Sequence, residues 1–492
     1  MDAEMRMRPL LLLPEMLLFV GGLGALICGS FVPRQRQWLI RVLTAVVLIA
    51  AMTAAAVQLA GPAQRAFEGT YTIDTATGVA RILAAFGTLL VLALAAEEIA
   101  GSARESETYA LLLFATTGTV VLAGADDLLV LAAGFLLASI PLYGLIGLVN
   151  TTAGAEAAMK TYLMGALFGI VLLLGVTVLS GVTGTTMYEE LEEGLARAPA
   201  AAVAVATVGV VAGLMFKAGG VPAHFWIPDV AQGSSATVAT FLTTVPKIGA
   251  LIAVYRLVGV LPDTASWPLL VALFAVASMT LGNLAAYWQN DPRRLLGWST
   301  VSQVGFLLVP IVVTGRSNLA LPSLLAYLAG YTVTNIAAFA IVAALPDRRN
   351  LAGYRGLATQ RPWLAAALLV ALLGLVGTPP AAVFVGKLTT AAAAWDGGYS
   401  WLAVVVFVNT VLSLFYYLRW IVPTYRHADA DADADAGAAA QILGRRRCPR
   451  APLSSRLRSA SPRVSPPGPS GTWSASIRNR GAASTFFRCT GN

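Results

Sequence analysis

The stretch Phe216–Lys247 reads FKAGGVPAHFWIPDVAQGSSATVATFLTTVPK. It places Lys217 at the end of one apolar run, interrupts that run between Gly219 and Pro222, and ends on Lys247 within the next apolar run. A helix broken by glycine and proline frees backbone carbonyls, and membrane depth tolerates them only where protein or water satisfies them. The stretch therefore predicts an interrupted transmembrane helix, followed by a second helix, with a buried amine on each.

Composition supports a membrane protein throughout. The chain has 492 residues, of which 57% are hydrophobic and 12% charged, and its mean hydropathy is +0.73. The apolar residues come in runs of about 20, enough to cross a hydrocarbon core of ~30 Å. We therefore expect an all-α polytopic membrane protein with about thirteen spans, placed at 9–31, 38–60, 75–97, 107–124, 127–149, 159–180, 201–220, 236–258, 267–288, 297–314, 319–345, 363–390 and 400–423.

A second interruption precedes the last lysine. Gly377, Thr378, Pro379 and Pro380 break the apolar run before Lys387. Two interrupted segments at corresponding places in two halves indicate an inverted-repeat transporter. We predict an N-terminal segment at 1–106, a first five-helix repeat at 107–260, a second at 261–427, and a low-complexity tail at 428–492. The tail is either disordered or translated from a shifted reading frame.

The net charge of +8 belongs mostly to that tail. Residues 428–492 hold ten arginines and four aspartates, or +6, which leaves +2 for the rest. We therefore predict no nucleic-acid binding. Arginines concentrate in the loops after spans 1, 9 and 11, which lie on one side of the membrane. By the positive-inside rule this side is cytoplasmic and the N-terminus faces outward. These arginines are Arg34, Arg36, Arg41, Arg293, Arg294, Arg348, Arg349, Arg355 and Arg361.

The chain has only four lysines, and all lie in or at the edge of apolar runs: Lys160, Lys217, Lys247 and Lys387. A charged lysine at the bilayer centre costs about 2.5–3.5 kcal/mol on insertion scales, so such positions are usually functional. Lysine can release its proton when buried, whereas arginine cannot. The pattern predicts a proton relay. The alternative is snorkelling or a structural ion pair, and it has most weight for Lys160, close to Glu156.

Several polar residues could connect the lysines. His224 follows the first break and is a candidate relay member, although a lone histidine can also serve packing alone. Polar residues in membrane helices often only bond a neighbouring helix. The remaining candidates lie in spans 10 and 11: Ser299, Thr300, Ser302, Gln303, Tyr331, Thr334 and Asn335.

The sequence offers no signature of a cofactor or metal site. The cysteines Cys28, Cys448 and Cys489 form no CxxC or Cys/His cluster, so we expect no zinc, haem or iron–sulfur centre in this chain. No glycine-rich strand–helix turn is present to hold a nucleotide. Electron carriers, if the system has them, should lie in partner proteins.

The ordered motifs resemble those of the antiporter-like membrane subunits of NADH–quinone oxidoreductase (respiratory complex I), most closely the subunit N branch. Lys217 followed by Pro-x-His-x-Trp-x-Pro-Asp carries the resemblance, together with motifs that recur along residues 10–425. These further motifs are Leu13–Glu15, Ser139–Tyr143, Glu156–Lys160, Arg294–Ser299, Tyr354–Leu357, Thr378–Lys387 and Asn409–Arg419.

The resemblance implies a fourteen-helix fold with two inverted five-helix repeats and a mid-membrane row of charges. Lys217 would be the central lysine of the first half-channel, Lys247 the connecting one and Lys387 the exit lysine of the second half. The implied reaction is proton translocation driven by quinone reduction. Quinone and iron–sulfur clusters would belong to partner subunits, and the partners would be other antiporter-like and small membrane subunits in a bacterial inner membrane.

Four departures from the family pattern accompany the resemblance. Leu136 stands where the family has the glutamate that pairs with the first lysine, and Gln303 stands where it has a histidine. The loop at 231–237 differs, and a fourteenth helix is absent. Asp126, Asp127, Glu97 or Glu98 are candidate substitutes for the glutamate. Two alternative functions stay open, a subunit of a multi-subunit cation/proton antiporter and a degenerate paralogue that acts as a scaffold.

Overall fold

The computed structural model describes residues 8–149, 151–262 and 266–426, and this part is almost entirely helical. The predicted tail at 428–492 lies outside the described residues. One short antiparallel hairpin, β1 (Gln64–Ala66) with β2 (Tyr71–Ile73), joins the second and third helices. The helices are α1 (Leu13–Phe31), α2 (Trp38–Leu59), α3 (Thr75–Glu98), α4 (Glu105–Gly124), α5 (Leu128–Gly147), α6 (Thr152–Thr183), α7 (Tyr188–Arg197), α8 (Ala200–Ala218), α9 (Trp226–Gly233), α10 (Ala236–Thr244), α11 (Pro246–Gly259), α12 (Trp267–Tyr287), α13 (Pro292–Val312), α14 (Ala320–Ala343), α15 (Leu357–Gln360), α16 (Pro362–Val376), α17 (Ala382–Asp396) and α18 (Ser400–Tyr425).

The described residues contain twelve helices long and apolar enough to span a bilayer, with α10 and α11 counted as one. The thirteenth predicted span, 363–390, falls on α16 and α17, which have 15 residues each. Neither is long enough alone, because about 20 residues are needed to cross the hydrocarbon core.

The two interrupted helices have matching geometry. Gly219 ends α8 with φ +81, and Gly377 ends α16 with φ +83. This left-handed conformation favours glycine, which has no Cβ to clash with the following carbonyl. In each break a proline, Pro222 or Pro380, stands three residues later. The all-α fold with two five-helix repeats and discontinuous helices is therefore confirmed, while the exact domain boundaries remain predictions.

Close glycine contacts join equivalent helices of the two repeats. A Cβ added to Gly118 of α4 would lie 2.1 Å from the backbone nitrogen of Ala138 in α5. A Cβ added to Gly282 of α12 would lie 2.5 Å from the backbone nitrogen of Ser302 in α13. Both contacts join residues twenty positions apart (138 − 118 and 302 − 282). Small residues of this kind let membrane helices approach closely, since lipid itself provides no hydrophobic drive for association.

The crossing formed by α10 and α11 is the innermost helix. Its most apolar window, within Ala236–Gly259, is 100% buried inside the protein. Gly249 allows this arrangement, because a Cβ there would lie 2.1 Å from the backbone oxygen of Thr119 in α4. The fold thus surrounds Lys247, which lies on this helix, with protein.

A buried ion pair holds the N-terminal helices together, and its tyrosine partner contacts the first repeat. Arg81 of α3 donates from Nε to Oε1 of Glu15 in α1 at 2.7 Å and from Nη2 to Oε2 at 2.9 Å. It also donates to Oε1 of Gln58 in α2 at 2.6 Å. The Tyr71 hydroxyl of β2 donates to Glu15 at 2.7 Å and lies 3.1 Å from the carbonyl of Val120 in α4. Four helices and the hairpin therefore meet at one satisfied charge pair.

Candidate functional site

Lys217 lies near the end of α8 with its amine directed at α5. Its Nζ donates to the carbonyl of Ala138 at 2.6 Å and to Oγ of Ser139 at 3.0 Å. Pro141 in α5 has no N–H, so the helix around this contact lacks one of its internal hydrogen bonds. The amine is buried and also lies 5.9 Å from the ring centroid of Phe135. Its described partners are a carbonyl, a hydroxyl and a ring.

Lys247 occupies the second position of α11, at the junction with α10. The residue is 1% exposed, and its Nζ has no hydrogen-bond partner among the described residues. The ring centroid of Tyr331 lies 5.5 Å from that nitrogen. A buried ammonium has three donors to satisfy. Among the described residues, Lys247 is therefore the least satisfied of the three buried lysines.

Lys387 lies in α17, on the far side of the second break. Its Nζ donates to the carbonyl of Val376 at 2.8 Å, which the end of α16 leaves free for it. The same nitrogen lies 4.0 Å from the ring centroid of Phe306 in α13. The break thus leaves a carbonyl that accepts a hydrogen bond from the lysine that follows it.

A chain of polar groups begins at the ring beside Lys247. The hydroxyl of Tyr331 lies 3.1 Å from Oγ1 of Thr300, and it donates to the carbonyl of Thr243 at 2.8 Å. Asn335, one turn further along α14, donates to Oγ1 of Thr243 at 3.1 Å and of Thr244 at 2.8 Å. These bonds connect the end of α10, which immediately precedes Lys247, with α13 and α14.

The chain continues along α13 to the second break. Gln303 lies one turn after Thr300, accepts a hydrogen bond from Tyr327 at 2.6 Å and donates to the carbonyl of Leu375 at 2.9 Å. The next carbonyl, of Val376, holds Lys387. Two hydrogen-bonded groups of buried polar residues therefore lie between Lys247 and Lys387, and they are separated by one turn of α13.

His224 lies in the turn between α8 and α9, inside the protein. The residue is buried, and its Nδ1 has no hydrogen-bond partner among the described residues. Its ring packs 4.3 Å from the ring centroid of Phe225 and 5.5 Å from that of Trp298. The free ring nitrogen is compatible with a relay role, and the aromatic contacts are compatible with packing alone.

Lys160 differs from the other lysines, because its side chain is 48% exposed and makes two ion pairs. Its Nζ lies 2.6 Å from Oε1 of Glu156 and 2.9 Å from Oδ2 of Asp229 in α9. Arg294 at the start of α13 contacts the other oxygen of Asp229 at 2.5 Å. Partial burial acts to raise the pKa of Asp229, but the hydrogen bonds from Lys160 and Arg294 outweigh it and lower that pKa. This geometry is that of a structural ion pair, the alternative to a relay role for Lys160.

The comparisons with known proteins agree with the fold. A family model described as NADH:quinone oxidoreductase/Mrp antiporter, TM matches residues 125–413, more than half of the chain. The chain belongs to this family. NADH-quinone oxidoreductase subunit N of Mycobacterium sp. (strain JLS) is 69% identical over 425 residues, which are 86% of this chain and 91% of the relative. NADH-quinone oxidoreductase subunit N 1 of Streptomyces griseus is 51% identical over 423 residues, 86% of this chain and 89% of the relative.

Solved structures of the family share the fold. Respiratory complex I from Thermus thermophilus contains a chain with 29% identity and a TM-score of 0.71, covering 87% of this chain and 95% of that one. The Mrp complex from Dietzia sp. DQ12-45-1b contains a chain with 26% identity and a TM-score of 0.75, covering 84% of this chain and 80% of that one.

None of the proposed substitutes for the family glutamate forms an ion pair with Lys217. Asp126 accepts a hydrogen bond from Thr72 at 2.6 Å, and Asp127 caps the first turn of α5. Glu98 accepts from two backbone N–H groups at the start of α10. Among the described residues, no carboxylate, that of Glu97 included, lies within 4.0 Å of the amine. Leu136 is itself 39% exposed.

The other predicted polar residues divide into two groups. Thr300, Gln303, Tyr331 and Asn335 belong to the chain between the lysines. Ser302 bonds Asn283 of α12 at 2.8 Å, Ser299 bonds Tyr417 of α18 at 2.5 Å, and Thr334 bonds only its own helix at Gly330. Sequence reasoning missed five residues that complete the site. Each lies within one turn of a residue already singled out, and a search at i ± 3 and i ± 4 from those residues could have found them: Phe135, Thr243, Thr244, Phe306 and Tyr327.

Proposed function

We propose that this chain is a proton-translocating membrane subunit of an NADH-quinone oxidoreductase, with proton movement driven by quinone reduction in partner subunits. The observation that carries the proposal is the set of buried polar groups between two buried lysines. Tyr331 and Thr300 lie beside Lys247, and Gln303, one turn along α13, bonds the carbonyl next to the one that accepts from Lys387. The relatives named NADH-quinone oxidoreductase subunit N support it. Quinone and iron–sulfur clusters would be held by those partner subunits.

The relay chemistry follows from which groups can change charge. Lys217, Lys247 and Lys387 can each hold a proton as an ammonium or release it as an amine. Hydroxyl and amide groups between them can donate and accept hydrogen bonds but keep no net charge. A proton on one lysine raises the energy of a proton on the next, because charges interact more strongly in a low-dielectric interior. Successive protonation can therefore push a proton along the row.

Two further members of the predicted relay, His224 and Lys160, lie outside the row of three buried lysines. His224 is buried near the first break with one ring nitrogen available, and we propose it as an intermediate acceptor. Lys160 is half-exposed and already paired with Glu156 and Asp229. We propose it as the member nearest the arginine-rich side of the membrane.

The surroundings of the chain follow from its surface. Large apolar side chains of α1, α2, α6 and α18 are exposed, which suits the acyl chains of a lipid bilayer and neighbouring membrane subunits. With the arginine-rich loops in the cytoplasm, the N-terminus faces outward. The domain division at 1–106, 107–260 and 261–427 is part of the same proposal.

A cation/proton antiporter subunit is the second candidate function. The similarity to a chain of the Mrp complex from Dietzia favours it, whereas the identity to subunit N relatives is much higher. Neighbouring genes for quinone-binding and iron–sulfur subunits would support the oxidoreductase, and a small antiporter gene cluster would support the alternative.

The test replaces single lysines in the assembled complex with Met, which keeps the length of the side chain and removes its charge. We expect Lys217→Met and Lys387→Met to lose NADH-driven proton pumping in membrane vesicles at an unchanged amount of assembled complex. Lys160→Met is the comparison for an exposed lysine, and retained pumping there would assign Lys160 to its ion pairs. Full pumping in both buried-lysine variants would leave this chain only a scaffolding role.

A further inference from the structure

The three buried lysines share an environment that contains aromatic rings and lacks carboxylates. Among the described residues, no acidic oxygen lies within 4.0 Å of Nζ of Lys217, Lys247 or Lys387. Each of these nitrogens instead lies within 6 Å of a ring centroid, belonging to Phe135, Tyr331 and Phe306 respectively.

The geometry is closest at Lys387. Its nitrogen is 4.0 Å from the centroid of Phe306, against 5.5 Å and 5.9 Å at the other two lysines. Phe306 is fully buried in α13, so the ring cannot turn away into solvent. It also lies one turn from Gln303, which bonds the carbonyl beside the one that accepts from the lysine. The ring of Phe306 and the carbonyl of Val376 therefore both contact this amine.

A ring face distinguishes the two states of a lysine. The negative face of the π system attracts an ammonium within about 6 Å of its centroid and has no comparable attraction for a neutral amine. The interaction grows when water is excluded from the site. A leucine of similar volume would fill the same space without that preference. A ring in this place therefore acts on protonation as well as on packing.

We propose that Phe306, and less strongly Tyr331 and Phe135, are positioning residues that stabilise the protonated lysines in place of carboxylate counter-ions. The inference rests on the proposed relay and adds the groups that set its charge states. It also accounts for Leu136 at the position of the family glutamate, because Lys217 has the ring of Phe135 and the carbonyl of Ala138 beside it.

The decisive experiment keeps the shape of the ring and changes only its electrostatics. Phenylalanine analogues with one, two and three ring fluorines are incorporated at position 306 of the assembled complex, and NADH-driven proton pumping is measured in vesicles. Fluorine withdraws charge from the ring face, so we expect pumping to fall stepwise, by about tenfold for the trifluoro ring. A series with constant pumping would overturn the inference.

Conventional variants complete the test. Phe306→Leu should reproduce the loss and Phe306→Tyr should restore most of the pumping. Phe339→Leu is the matched control, since Phe339 is also fully buried in α14 and no cation lies over its ring among the described residues. If Lys387→Met pumps normally, the proposed relay itself fails. If Lys387→Met is inactive while Phe306→Leu pumps normally, only the role of the ring fails.

Discussion

We expect the loss of Arg81 alone to destabilise the N-terminal helices more than the loss of both Arg81 and its partner Glu15. In Arg81→Met, the Glu15 carboxylate loses its two bonds from the guanidinium, at 2.7 and 2.9 Å, and keeps only the Tyr71 hydroxyl. Both side chains are at least 95% buried. Leaving one charge of such a pair unpaired costs about 3–5 kcal/mol, and we expect a loss of that size in the free energy of unfolding.

The double variant separates charge from contact. Glu15→Leu with Arg81→Met fills similar volume with apolar groups, and such replacements of buried pairs are often neutral. The Tyr71 hydroxyl keeps its hydrogen bond to the carbonyl of Val120. Gln58, which loses Arg81, is only partly buried and can bond to water. We therefore expect the double variant to lose only about 1–2 kcal/mol, the cost of the imperfectly satisfied polar groups.

The assay is denaturant unfolding of the purified chain in detergent micelles, followed by tryptophan fluorescence. The exposed pair of Arg197 and Glu193 supplies the control. Arg197→Met should leave the denaturant midpoint unchanged, because surface ion pairs contribute little to stability. A double variant as unstable as Arg81→Met, or more so, would refute the reasoning, because the loss would then come from contacts and not from an unpaired charge.

Two further predictions concern packing and pH. Gly249→Ala puts a Cβ 2.1 Å from the Thr119 carbonyl oxygen, so α11 must move from α4 and the yield of folded protein should drop sharply; Gly24→Ala, with nothing within 4 Å of its Cβ, should keep wild-type yield. At Asp229 the pKa is lowered on folding, so its stabilisation is present above the ordinary aspartate pKa of about 3.9 and lost as the pH falls below that value. The difference between the thermal unfolding midpoints of wild type and Asp229→Asn should therefore be larger at pH 6 than at pH 3, and a constant difference would contradict the ion-pair explanation.

Much of the fold was predictable because hydropathy and helix breakers act locally. The twelve apolar helices follow from the lengths of apolar runs, and the two interruptions follow from Gly219 and Gly377 with their downstream prolines. The burial of Lys217, Lys247 and Lys387 follows from their place in apolar sequence. These properties depend on residues within one or two helical turns, so a single sequence contains them.

The partners of each lysine were not predictable in the same way. Phe306 and Lys387 are 81 positions apart (387 − 306), and a phenylalanine in an apolar helix looks the same whether or not a lysine lies over it. Gln303 was correctly singled out as polar and buried, but its bonds to Tyr327 and Leu375 depend on how three helices pack. For Lys160 the sequence left two roles open, because a lysine at the end of an apolar run can belong to a relay or to an ion pair.

The enclosed crossing formed by α10 and α11 has a consequence for biogenesis. Protein covers its apolar window on every side, yet α13 and α14, which supply part of that cover, are synthesised after it. Until they arrive, Lys247 and the threonines of α10 must face lipid or the insertion machinery. The ribosome therefore releases this helix before its final neighbours exist, and a pause or a chaperone at that stage should affect this segment more than any lipid-facing helix.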